Sequence, residues 1–120
     1  MSRSWADGAA TVVGSLPGTE PLAAATLLLY TLTVPNVPEL PARGLGADAE
    51  GRTAGLLVDL PVEVVASGWQ VAARTGADLE RAQQLLVEDL AALQVAARGW
   101  AGPLKTQVVG PLTLAAALGQ

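Results

Sequence analysis

Two short β-branched runs in this chain each stop at a glycine- and proline-containing loop, and each is followed at once by a helix signal. Residues 10–13 (Ala-Thr-Val-Val) run into Gly14-Ser15-Leu16-Pro17-Gly18, and residues 104–109 (Leu-Lys-Thr-Gln-Val-Val) run into Gly110-Pro111. Proline and glycine do not continue a central strand, so each run reads as a strand ending in a loop. After the first loop, Thr19 suits an N-cap, and Glu20 and Pro21 suit a first helical turn. The helix predicted over 22–32 is apolar nearly all round, which predicts burial on more than one side. After the second loop, 113–118 begins another helix. Strand, loop and helix joined by crossovers this long predict the α/β class with parallel βα units. Three or so units cannot close a barrel, and the last helix spans about two turns where three to four are usual.

The stretch between these units is punctuated by proline. Pro35, Pro38 and Pro41 push their preceding residues out of the α region, predicting an extended segment or short edge strand. Asp48 is placed to cap a helix over about 49–60 that Pro61 stops. Residues 61–76 are ambiguous, with Gly68-Trp69-Gln70-Val71 a candidate strand. The strongest periodicity lies in 76–98: Leu79, Ala82, Leu86, Leu90, Leu93 and Ala97 mark one helical face, and Glu80, Gln84 and Glu88 the other. Thr75 and Asp78 have the spacing of a capping box, and Gly99 fits the C-terminal stop. Residues 1–10 read as a loose leader and 11–120 as one incomplete domain.

Composition excludes several chemistries. With no Cys and no His, the chain can form neither a disulfide nor a thiolate metal site, and no Ser-His-Asp triad. Its net charge is −4 and its 7 basic residues are scattered singly, which argues against nucleic acid as a partner. The longest apolar run is about 13 residues, against about 20 for a membrane span, and no secretory signal opens the sequence. The expected location is the cytoplasm.

The two strand–helix junctions are where a ligand would meet a βα fold. Gly14 lets backbone approach a ligand, and Ser15 offers a hydroxyl and an N–H to a carboxylate. An ordinary glycine-rich turn would have the same composition. The loop is neither a dinucleotide fingerprint nor a P-loop. In the second loop Pro111 suits the first helical position, and Thr113 lies in the first turn, where free N–H groups face polar ligands. Simple helix initiation accounts for these residues equally well. Lys105 is expected to meet a carboxylate or solvent, Asp48, Glu50, Asp59 and Arg52 to form a solvated helix face, and Trp5, Trp69 and Trp100 to pack in the core or at its edge.

Taken together, Thr11-Val12-Val13-Gly14-Ser15-Leu16-Pro17-Gly18-Thr19 and Val109-Gly110-Pro111-Leu112-Thr113-Leu114 resemble the opening strand and a later Gly-Pro-x-Thr loop of the cobalamin-independent methionine synthase barrel. That superfamily also contains uroporphyrinogen decarboxylase. The segment from Gly44 to Leu57, with Gly-Arg-Thr-Ala-Gly-Leu-Leu, is similar to single-barrel actinobacterial members. The resemblance spans Thr11 to Leu118. It implies about the first third of a TIM (β/α)₈ barrel and, in the intact protein, methyl transfer from 5-methyltetrahydrofolate to homocysteine at zinc.

By the same resemblance, Val13, Gly14 and Ser15 contact the amino acid substrate, Gly110, Pro111 and Thr113 form the second binding loop, and Asp48, with Glu50 second, is the carboxylate that binds the substrate amine. The family's zinc ligands are His, Cys and Glu on later strands, so this chain alone is expected to be inactive, and a barrel cut after its third or fourth strand is expected to be either partly molten or self-associated through its open edge and exposed apolar area. The alternatives are a non-zinc, decarboxylase-like barrel and a small non-catalytic α/β interaction module.

Overall fold

A computed structural model of the chain describes residues 8–12, 15–57 and 60–119. Helix and strand are mixed in it, as an α/β chain requires. Helix α1 spans Pro21–Thr31, a 3₁₀ turn Pro41–Arg43, α2 Ala49–Leu56, strands β1 and β2 Val62–Val65 and Gly68–Val71, α3 Ala77–Ala96 and α4 Pro111–Leu118. The one regular sheet among the described residues is the β1–β2 hairpin. It is antiparallel, with Val62 opposite Val71 and Val65 opposite Gly68.

The 20-residue helix α3 is the spine of the molecule. Toward its N-terminal end, Leu79 and Ala82 pack with Ala54 of α2 and with Val62 and Trp69 of the hairpin, and Leu118 of α4 closes against this cluster. Toward its C-terminal end, Leu93 packs with Ala25 of α1 and with Val37. Each fully buried Leu or Val side chain of this kind contributes about 1.5–3 kcal/mol. The buried stripe of α3 is Leu79, Ala82, Leu85, Asp89 and Leu93. It is rotated from the expected face, because Leu90 lies exposed and a carboxylate takes the place between Leu85 and Leu93.

Several local expectations are corrected. Helix α1 buries only Ala24, Ala25 and Leu28 and exposes Leu22, Leu27 and Tyr30, since α3 is the one long helix laid along it. Its N-cap position is Glu20, not Thr19, and no side chain caps it. Helix α2 stops at Leu56, short of Pro61. No capping box forms at α3: Gly76 holds the N-cap position, and the Asp78 carboxylate instead accepts the Val64 N–H at 2.7 Å, tying the helix start to the hairpin. Trp69 is core, as expected, and Trp100 is half-buried at the edge. Trp5, Asp59 and most of the proposed leader lie outside the described residues.

The three stretches read as extended lie side by side without forming a regular ladder. Residues 34–40 run between the first and the last, joined by isolated parallel bridges, Ser15 with Glu39 and Asn36 with Lys105. The backbone bonds are Val34 N–H to Ala10 O, Leu16 N–H to Glu39 O, Lys105 N–H to Pro35 O and Val37 N–H to Lys105 O, each 2.9 Å. Proline explains the sparseness. Pro35 and Pro38 have no N–H to donate, so a continuous ladder is impossible in the middle segment. Among the described residues, no helix is long and apolar enough to cross a membrane.

Candidate functional site

The two loops singled out in the sequence flank one central segment. Ser15 bridges Glu39 from one side, and the stretch leading to Gly110 bridges Asn36 through Lys105 from the other. All three stretches run the same way, so their following loops leave at the same end. Ser15, Gly110, Pro111 and Thr113 are all exposed there. Gly110 holds the N-cap position of α4 and Pro111 its first turn, with no side chain capping the helix. Val13 and Gly14 lie outside the described residues.

Below the second loop, Thr53 of α2 receives the Val109 N–H at 3.1 Å and donates its own hydroxyl to Ala49 O at 2.9 Å. This fixes the end of α2 beside the start of α4. The two frame an open, almost wholly apolar hollow of about 290 Å³, lined by Leu56, Leu57, Val108, Pro111 and Leu114 among others. Among the described residues Lys105 pairs with no carboxylate. Its ammonium donates to Val12 O and so adds a side-chain link between the first and last segments.

The central segment carries the polar cluster that sequence reasoning missed. Glu39 is 2% exposed and Asn36 1%. Gln107 bridges them: its Nε2 donates to Glu39 Oε1 at 2.5 Å, and its Oε1 lies 3.5 Å from Asn36 Nδ2. Asn36 Nδ2 also donates to Val37 O at 3.1 Å. Two buried acceptors, Glu39 Oε2 and Asn36 Oδ1, have no hydrogen-bond partner among the described residues. Buried polar atoms are rarely left so, and a buried carboxylate is costly unless donors or an opposite charge meet it. Neither salt bridge among the described residues involves Glu39. The arrangement is a sealed polar cluster in which acceptors outnumber donors.

The carboxylate singled out from the resemblance is differently engaged. Asp48 Oδ1 accepts the Gly46 N–H at 2.9 Å and Oδ2 accepts the Trp69 indole N–H at 3.0 Å, so each oxygen already serves the loop that precedes α2. Glu50 is half-buried in the first turn of α2. Arg52 is not on a solvated face. It is 2% exposed, ion-paired with Asp89, and donates to Pro38 O at 2.8 Å and to Val37 O at 3.3 Å. A lone glutamate inside a proline-punctuated apolar segment was the available signal for Glu39, and an aspartate on the apolar stripe of α3 was the signal for Asp89.

The zinc that the resemblance implies does not fit these residues. There is no His or Cys, the Asp48 and Asp89 oxygens are taken by internal donors, and no three candidate ligands gather among the described residues. No protein-family model matches the chain, and neither the curated proteins nor the solved structures include a significant match to it.

Proposed function

We propose that this chain is the substrate-binding opening of a methionine-synthase-like (β/α) barrel: the first strands and loops of a cytoplasmic protein that transfers methyl from 5-methyltetrahydrofolate to homocysteine. The observation that carries the reading is the shared central segment. The two loops with the family-like sequences flank the same stretch, 34–40, in parallel order, as the first three strands of a barrel would run. Ligands of such barrels sit at the carboxyl ends of the strands, where Ser15 and Gly110-Pro111-Leu112-Thr113 lie.

In this reading the Ser15 hydroxyl and the backbone of Val13 and Gly14 receive the amino acid carboxylate, and the second loop, with the apolar hollow beside it, lines the far side of the pocket. Glu39, with one oxygen unpartnered, is better suited than Asp48 to accept the substrate ammonium. Any zinc used for methyl transfer would be held by residues outside this chain. No step through zinc is assigned to residues 1–120.

A non-zinc barrel of the same superfamily shares the parallel order and is the second reading. One experiment separates the two. The protein is purified from its own cells, its mass and zinc content are measured, and homocysteine-dependent methyl transfer is assayed. A species longer than 12.1 kDa that holds zinc and consumes homocysteine supports the proposal. A homocysteine-inactive, zinc-free protein overturns it and leaves the second reading.

A further inference from the structure

We propose that Asp89 is a positioning residue: through Arg52 and Arg43 it fixes the backbone of residues 37–40, and so the place of Glu39 beside Ser15 and Gln107. The prolines of the central segment create the need. Neighbouring stretches satisfy Pro35 O and Glu39 O, through Lys105 N–H and Leu16 N–H. Of the other carbonyls of residues 37–40, Val37 O takes the Asn36 amide and Leu40 O the Arg43 backbone N–H, neither from a neighbouring stretch, and guanidinium groups reach both of these and Pro38 O as well. Arg52 donates to Val37 O and Pro38 O, and Arg43 Nε donates to Leu40 O at 3.2 Å. Asp89 holds both arginines in place, with Arg43 bound through two nitrogens at 2.8 and 2.9 Å and Arg52 through one.

Stability alone is a poor reason for this triad. Removing an Asp and two Arg from water is costly, and apolar replacements of such buried ionic groups are often neutral or stabilising. What apolar side chains cannot supply is a planar fork of donors aimed at successive carbonyls. Asp89 lies on a helix 50 residues beyond Glu39 in sequence and acts on it only through these carbonyls. The role assigned to Glu39 in amine recognition rests on the function proposed above, whereas the placement itself does not.

The test uses the full chain, isotope-labelled, with the contact between the Gln107 side-chain amide and Glu39 read by nuclear Overhauser effect, and folding read by urea melting. In the triple variant Asp89→Leu/Arg43→Met/Arg52→Met, melting stays cooperative but the Gln107–Glu39 contact is lost. Retention of that contact in a folded triple variant would overturn the proposal. Should the triple variant not fold, Arg52→Lys keeps the charge while losing the fork. Loss of the contact with unchanged core methyl resonances then supports positioning, and its persistence overturns it. A native contact in a protein that never acts on homocysteine counts against the proposed function alone.

Discussion

The indole of Trp69, on β2, donates to Asp48 Oδ2 at 3.0 Å, and the other oxygen of the same carboxylate holds the Gly46 N–H. One side chain thus joins the hairpin to the loop that launches α2. Asp48→Ala leaves both donors unmet inside the protein, and the expected loss is about 1–3 kcal/mol. Urea unfolding followed by tryptophan fluorescence measures it. Destabilisation below a few tenths of a kcal/mol would show that water replaces the carboxylate freely.

Gly51 and Gly55 lie one turn apart on α2 and should respond oppositely to alanine. A Cβ on Gly51 would stand 2.6 Å from Asp48 Oδ1, 2.8 Å from Gly46 Cα and 2.9 Å from the Trp69 ring. Gly51→Ala is therefore expected to cost about 1–3 kcal/mol through overpacking. At Gly55 the nearest atom would be 3.4 Å away, an ordinary contact. Gly55→Ala should be neutral or stabilising by up to about 1 kcal/mol, from helix propensity. Thermal melts of the two variants side by side decide between them.

Ser15 and Thr113 are exposed at the proposed ligand-binding end. Ser15→Ala in the intact protein is expected to leave the melting temperature unchanged and to raise KM for the amino acid about 2- to 10-fold, the effect of losing one hydrogen bond worth about 0.5–1.5 kcal/mol. An unchanged KM with a lowered melting temperature would assign Ser15 to the turn itself. The same pair of measurements on Thr113→Val separates ligand contact from helix initiation.

The outer face of α1 should drive association. Tyr30 is 87% exposed and is flanked on the helix by exposed Leu27, and Leu112 on α4 is 86% exposed. Sedimentation of the 120-residue chain is expected to show mass increasing with concentration, as exposed apolar surface promotes self-contact. The variant Leu22→Gln/Leu27→Gln/Tyr30→Ser should sediment as a monomer and still melt cooperatively. A wild-type chain that stays monomeric throughout the concentration range would refute this expectation.

Elements whose signals are local were legible in the sequence. Pro21 at a helix start, the helical period that puts Leu79, Ala82 and Leu93 on one face, and the Gly110-Pro111 junction all mark local structure. The hairpin partner of Gly68–Val71 was not legible, because a four-residue valine-rich run does not say which stretch it will pair with. The exposure of α1 was misread for a related reason. A helix apolar all round does not say how many neighbours will reach it, and only tertiary packing decides that.

The polar interior was hardest to read. Arg52 lies on a short helix among Asp48, Glu50 and Thr53, which locally resembles a solvated face. Its burial depends on Asp89, 37 residues away. The cluster of Asn36, Glu39 and Gln107 likewise exists only once two stretches separated by about 70 positions are laid together. Side-chain pairings of that range leave no periodic trace.

The prolines that interrupt the central stretch also bear on the order of events during synthesis. One flank of residues 34–40 meets its neighbour as soon as α1 has turned back, but the other must wait for Lys105. At about 5–20 residues per second, the roughly 65 intervening residues leave that flank bare on the ribosome for several seconds. An unguarded strand edge invites pairing with any passing chain, and proline is a common deterrent. Pro35 and Pro38, by withholding amide donors, make the half-built protein a poor template for intruders until its own third stretch arrives.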